Sequence, residues 1–425
     1  MPEHAAPPDQ RSSTLVLTLL LSLVGWLLIG CTTSPGSPPV PAATVSSRTA
    51  AQSTLTAMGT AIRDHDRAGY ERQISTRDPA FAATADRVYD NLVALPLSQL
   101  TFEVQPADSP LTAPRRALLG PQAFAQQVVV TWRVQGDLGP AEHLLWLTFL
   151  PGSAGAQVAG SSDAPKDRTA QPLWLVERVT ASRTGRTTVL AAAGQSVPVW
   201  IRRGDAASSA VAHRLGAAVA DHWVGDLVLE LPSTRQAFEQ VLGVAPGSYA
   251  SIAAVAWPEG PDPATSAIRV VVNPALAAEL DTQGMAILLT HEVVHVATRS
   301  AASRAPTWLV EGMADFVAYD AHPATAPAAA AALRRQVSAH GAPAALPRDD
   351  QFAPTAPDLA LRYAEAWLAC RFLAERYSAD RLDRFYAAVS SGTDVDRALR
   401  SEFGSSVADF TRSWRSYLLN VASQR

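Results

Sequence analysis

Cysteine is nearly absent from this 425-residue chain, which contains only Cys31 and Cys370. Cys31 closes an apolar N-terminal run, so Cys370 is left alone in the remainder, and a lone thiol cannot form an internal disulfide. Its helical spacing from Tyr363, Trp367 and Leu373 is that of a small core residue rather than a nucleophile. Lysine is scarcer still, with Lys166 the single example, so positive charge is almost all arginine. A GC-rich genome explains that bias as well as any function does. The formal net charge is −4, and the basic surplus that a nucleic-acid partner draws on is missing. With 48% hydrophobic and 17% charged residues the composition is that of a soluble globular protein, and the length exceeds one ordinary core, which implies two domains plus appendages.

Histidine is also sparse, at nine residues, which gives weight to the stretch Thr290-His291-Glu292-Val293-Val294-His295. Two histidines four apart share one face of an α-helix, where both imidazoles reach one Zn²⁺. Glu292 lies on the flank of that face, in reach of a metal-bound water as general base. Asp281 or Thr282 can cap the helix, and Met285, Ile287, Leu288, Leu289, Val293, Val294 and Val296 make it apolar on most sides, hence buried. A catalytic zinc takes three protein ligands and keeps a fourth position for water. Downstream, a helix starting at Pro306 or Thr307 carries Glu311 and Asp315 four apart on one face. Glu311 is expected to bind the metal, and Asp315 to accept the free N–H of a ligand histidine, His291, fixing its tautomer. The extended H-E-x-x-H-x-x-G-x-x-H pattern is excluded, because Thr298 and Ala301 stand where Gly and His are needed.

At these residues the chain resembles the glutamate-zincin metallopeptidases, specifically those with a Trp-Leu-x-Glu-Gly-x-Ala second helix, matched by Trp308-Leu309-Val310-Glu311-Gly312-Met313-Ala314. The resemblance implies one zinc per chain on His291, His295 and Glu311, Glu292 as base, Asp315 behind the ligands, and a peptide or protein substrate. It covers residues 287–319 tightly. It also implies a tyrosine or histidine from the helical half that steadies the tetrahedral intermediate, and Tyr363 is named for that role. His322 and His340 are further candidates for the same donation.

Residues 1–31 read as a processing segment: Arg11 gives a positive start, and Leu15 to Ile29 is an apolar run of signal-peptide length. Leu28-Ile29-Gly30-Cys31 resembles a bacterial lipobox, which implies cleavage after Gly30 and a lipid on Cys31 that holds the protein to the outer face of the cytoplasmic membrane. Residues 32–50, rich in Ser, Thr, Pro and Ala, are expected to be an unfolded tether. At about 3.3 Å per residue it would reach roughly 60 Å.

The expected fold class is α+β in two domains. Residues 51–190 begin with helices at Leu55–Ala68 and from Asp78-Pro79 through Leu92, followed by strands at Gln127–Val134, Leu144–Leu150 and Leu173–Val179. Helices followed by a curved antiparallel sheet resemble the cone of the nuclear-transport-factor-2-like fold, and with no cluster of titratable residues there this domain reads as a binding or spacing module. Residues 191–425 form the zincin-like domain. Strands are expected at Val197–Ile201, Leu227–Leu231, Ile252–Ala256 and Ile268–Val272, with helices at Ser208–Trp223 and Ser233–Leu242. In the zincin layout the last strand before the metal helix lines the cleft and pairs with an extended peptide. His213 and His222 are nine apart without an acidic partner and read as surface histidines. The Ala- and Pro-rich segment 322–357, with a helix at Ala328–Ser338, is a lid or a surface crossing, and four helices then run from Asp358 to Val421. A different class of function, a cell-surface ligand-binding lipoprotein with a structural or inactive zinc domain, has to explain an intact Glu292.

Overall fold

In the computed structural model, residues 45–424 are described except for 153–154, 164–168, 221 and 354. Cys31, the apolar leader, the lipobox and the tether as far as residue 44 lie outside the described residues. Among the described residues no helix is long and apolar enough to cross a membrane.

The chain opens with α1 (Val45–Arg63), α2 (Arg67–Glu71) and α3 (Pro79–Ala94). The tether expected to run to residue 50 therefore gives way to helix at Val45, because Ala51 and Leu55 already belong to the buried face of α1. Asp78 caps α3, its carboxylate accepting the N–H groups of Ala80 and Phe81. Next come β1 (Leu97–Ser109), α4 (Ala113–Leu119), β2 (Phe124–Val134), β3 (Ala141–Gly152) and β4 (Gly155–Gly160). The four strands form one antiparallel sheet in chain order. Val128, Val130 and Trp132 of β2 alternate with half-buried neighbours and face the helices, as the two-residue period requires.

Two sequence expectations fail in the following stretch. Leu173 to Val179 alternates like a strand, yet Pro172, with φ at −62°, starts a single helical turn, α5 (Leu173–Val176), and the strand β5 begins only at Val179 (Val179–Thr184). β6 (Thr187–Ala192) follows. Val197 to Ile201 also alternates like a strand but opens α6 (Val197–Arg214), with Pro198 in its first turn, where a missing N–H costs nothing. Trp200, Ile201, Gly204, Ala207, Ser208 and Val211 are buried at a helical period, and packing of that face overrides the β-branched pattern. Among the described residues from 215 to 223 only Ala217–Ala220 (α7) are helical, so the helix expected at 208–223 is divided between the end of α6 and α7.

The remaining elements are β7 (Leu227–Leu231), α8 (Arg235–Leu242), β8 (Ala254–Pro258), β9 (Ile268–Val272), α9 (Pro274–Ala277), α10 (Thr282–Thr298), α11 (Thr307–Ala321), α12 (Ala326–His340), α13 (Leu359–Arg376), α14 (Ala379–Ser390), α15 (Val395–Phe403) and α16 (Val407–Ser423). The second sheet has the order β5-β6-β7-β9-β8. β6, β7 and β9 are parallel, while β5 and β8 are antiparallel edges. Its central strands are buried on both sides: Ile268, Val270 and Val272 join the core beneath α6 and α10, whereas Val271 joins the core shared with the first sheet. Because β5 and β6 belong to this sheet, the backbone of residues 179–192 is hydrogen-bonded into the C-terminal strands, while Val179 and Leu190 pack in the core shared with the first sheet.

A buried charge cluster ties the two sheets together. Arg269 of β9 is fully buried and donates from Nη1 to Glu230 and Glu259 at 2.9 Å each. Its Nε and Nη2 grip Asp137, in the β2–β3 turn, at 3.0 and 2.8 Å. The guanidinium also lies 3.8 Å from the centroid of Trp132 on β2. The joint continues in the backbone, where Glu142 N–H donates to Glu259 C=O at 2.6 Å and Ala267 N–H to Pro140 C=O at 2.8 Å. Gly139 is required there, since a Cβ would fall 1.8 Å from the Thr265 oxygen.

Candidate metal centre

Asp281 starts α10 by accepting the Gly284 N–H at 2.7 Å, which fixes the phase of the helix for the rest of its length. His291 and His295 then face α11, while Glu292, one position round, faces β8. Pro306 precedes α11, and its Thr307 N–H is capped at 2.8 Å by Asp349, from the segment between α12 and α13. Gly312 lets α11 approach α13: a Cβ there would meet the Ala366 oxygen at 2.4 Å and the Cys370 sulfur at 2.9 Å. This places Glu311 against the two histidines. Cys370 is buried in that contact, with its thiol pKa pushed up by burial.

His291 Nε2 and His295 Nε2 are 3.0 Å apart, and Glu311 Oε2 lies 3.2 Å from the first and 3.4 Å from the second. Tetrahedral ligation with bonds of about 2.0–2.1 Å puts ligand atoms roughly 3.3 Å apart, so the three atoms already have the spacing that one zinc requires. Glu311 Oε2 is buried and has no hydrogen-bond partner among the described residues, as expected of an atom whose partner is a cation. The donor set fits a zinc ion. Among the described residues this is the group able to hold a metal, and its three members leave one tetrahedral position open.

Behind the ligands, His291 Nδ1 stands 2.8 Å from Asp315 Oδ1, so the ring donates there and its Nε2 lone pair is free for a metal. Against the cost of burial, Asp315 and Glu311 hold the His291 pKa well above its usual value. Glu311 is displaced in the opposite direction: burial disfavours its charge, yet His295 and His291 keep its carboxyl far below the usual range. Both shifts describe a pocket that attracts positive charge. Glu292 is buried, and its Oε2 accepts the Ala256 N–H of β8 at 2.7 Å. Burial, and then the charge of Glu311, pushes its carboxyl pKa up, against the pull of the histidines.

Tyr363, on the first turns of α13, is brought to the same place, its ring centroid 6.2 Å from that of His291 and edge-on to Phe352 at 5.5 Å. Burial and the carboxylates of Glu311, Asp315 and Glu292 raise its hydroxyl pKa. His322 is placed elsewhere: its Nε2 lies 3.4 Å from Thr290 Oγ1, and that hydroxyl donates to Ala286 C=O, up the helix from the ligands. His340 ends α12 in an exposed position, as His213 ends α6. The segment between the metal helices and α13 is pinned by Asp349 and by the buried Phe352, Leu333 and Val337.

Sequence reading missed Ala256, and no residue-type signal could have found it, because its contribution is a backbone N–H. It also missed Gly312, although the glycine following a ligand glutamate in a buried helix was visible. No curated protein and no solved structure matches this chain. Residues 255–420, from β8 to α16, match the family model of the peptidase MA superfamily, a match that supports a zincin-like peptidase domain in this part of the chain.

Proposed function

We propose that the protein is a zinc-dependent metallopeptidase that hydrolyses peptide bonds with Glu292 as general base. The observation that carries this reading is the convergence of His291 Nε2, His295 Nε2 and Glu311 Oε2 within 3.0–3.4 Å of one another, beside a carboxylate that is not a ligand. A structural zinc is usually closed by a fourth protein ligand, and here the open position has a buried base beside it. When bound, zinc supplies Lewis acidity toward the scissile carbonyl and toward water.

The residues divide the remaining work. Asp315 holds His291 in the tautomer whose Nε2 can bind the metal. The Ala256 N–H holds the Glu292 carboxylate in place, from which it takes a proton from the attacking water. As the C–N bond breaks, Glu292 returns that proton to the leaving amine. The Tyr363 hydroxyl donates a hydrogen bond to the carbonyl oxygen as negative charge develops on it. β9, the last strand before α10, is flanked by β7 and β8, so the edge left to pair with an extended substrate is β8, where Ala256 C=O points the same way as its N–H. The lipobox-like sequence supports a lipid on Cys31 and a place on the outer face of the cytoplasmic membrane. For the N-terminal helices and sheet, α1 to α3 against four antiparallel strands support a nuclear-transport-factor-2-like binding or spacing module.

Metal content tests the reading directly. The purified protein is expected to hold about one zinc per chain, and the His291→Ala and Glu311→Ala variants to lose it or bind it far more weakly. A folded wild-type protein that holds no zinc when supplied with it sinks the proposal.

A further inference from the structure

The free edge of β8 does not run on indefinitely. Ala256 faces away from β9 and meets Glu292, and Pro258, two residues or about 7 Å further along, faces the same way without an N–H. The next carbonyl, that of Glu259, is already taken by the Glu142 N–H of β3. A peptide extended along this edge therefore meets the first sheet two residues past the point where the base is fixed. At that corner lies a cavity of about 510 Å³, within the usual size range of ligand pockets. Its walls are Val129 and Leu144, from the outer face of the first sheet, and Trp257, Pro258 and Pro261, with Glu142 also on the lining. Val129, Leu144 and Trp257 are each only half-buried, although all three are apolar. Glu142 forms no ion pair among the described residues, so its carboxylate discourages acidic occupants. The wall is rigid, because Asp137, Glu230 and Glu259 are all held by the buried Arg269.

We propose that this corner is a substrate subsite: it receives an apolar side chain two or three residues to one side of the bond cut, and the first sheet closes the cleft there. The N-terminal module is thus part of the specificity apparatus of the peptidase domain. The inference rests on the peptidase reading for its substrate class, yet the cavity can be tested by binding alone.

The probe is a random decapeptide library with blocked ends, used in two ways. Zinc-supplied wild-type protein is profiled for the residues around each cleavage, and the Glu292→Gln protein is profiled for the peptides it retains at equilibrium. Both are repeated with Leu144→Arg, which fills the cavity, and with Leu144→Ala as a milder change. The expected profile is enriched in apolar residues and depleted in Asp and Glu at one position, on one side of the bond only. Leu144→Arg should cut kcat/KM for the enriched peptides about tenfold or more and erase the preference at that position, as loss of an apolar pocket does. Cleavage without such a position, or with one indifferent to Leu144→Arg, overturns the subsite and leaves the peptidase standing. Retention of apolar peptides that Leu144→Arg abolishes, with no cleavage by the zinc-loaded protein, overturns the peptidase and leaves the subsite. Neither retention nor cleavage overturns both.

Discussion

Glu292 Oε2 accepts the backbone N–H of Ala256 at 2.7 Å, which joins the proposed base to the strand proposed to hold the substrate. The carboxylate is buried, and a buried acid with one fixed donor has little freedom to turn. Replacing it by glutamine keeps the size and removes the proton acceptor. Glu292→Gln is expected to retain about one zinc per chain and to lose roughly 10²–10⁴-fold in kcat, read by metal analysis beside peptide hydrolysis. Wild-type turnover in this variant would remove Glu292 from the mechanism.

Asp315 is proposed to act through His291 rather than on the substrate. With Oδ1 2.8 Å from Nδ1 it selects the tautomer that leaves Nε2 free. Asp315→Asn can present an N–H where an acceptor is needed, and zinc affinity should fall about 10- to 100-fold. Competition with a chromogenic chelator measures it. An unchanged zinc affinity would mean that His291 is oriented by its packing alone.

Gly312 fixes how closely α11 approaches α13, and the proposed ligand Glu311 is its neighbour. In Gly312→Ala the new methyl would lie 2.4 Å from the Ala366 oxygen, a backbone atom that cannot swing aside. The helices must separate, at a cost of about 1–3 kcal/mol by denaturant unfolding, and zinc should bind more weakly as Glu311 moves with its helix. Stability loss with unaltered zinc affinity would show that the displacement is absorbed elsewhere.

How far these relationships were legible in the sequence depended on whether they are written in residue types. His291, His295, Glu311 and Asp315 could be located by counting, because helical periodicity converts spacing into a shared face. Leu227–Leu231 and Ile268–Val272 could be read as strands, because a sheet covered on both faces leaves uninterrupted apolar runs. Val197–Ile201 misled because its alternation is local, whereas the buried face that makes it helical extends to Val211. β1 escaped notice since only Leu100 and Phe102 of its thirteen residues are buried, too few to impose a period. The Arg269 cluster was invisible for another reason: Asp137 and Arg269 are 132 positions apart, and nothing in either neighbourhood announces the other.

That cluster sets the last expectation, which concerns acid. His143 is fully buried beside it, with Nδ1 3.3 Å from the Trp132 indole nitrogen and Nε2 3.5 Å from Glu259 Oε2. The indole can only donate, so Nδ1 accepts and the ring is neutral with its proton on Nε2. Burial, reinforced by the charge of Arg269, pushes the His143 pKa down to about 3, whereas in the unfolded chain it is about 6.5. Between these values the unfolded chain binds a proton that the folded one refuses, so stability is lost as pH falls, by at most about 1.4 kcal/mol per pH unit from this group. Glu259 and Glu230 work in the opposite sense. Burial raises both of their pKa values, so the folded state holds more protons than the unfolded one above the ordinary carboxylate range, and acidification toward that range favours folding. A single stability curve would mix these contributions, but the difference between wild type and His143→Gln isolates the histidine, because the carboxylates are common to both. Glutamine keeps one donor and one acceptor and cannot take up the proton. Denaturant unfolding at pH 6.5, 5.5 and 4.5 should show wild type losing ground to His143→Gln by about 1.0 kcal/mol over the first step, where the unfolded-state imidazole is still half deprotonated, and by about 1.3 kcal/mol over the second. A difference that stays constant over that range would mean that His143 takes up its proton in the folded protein as readily as in the unfolded chain, and that the Trp132 indole does not hold Nδ1 as an acceptor.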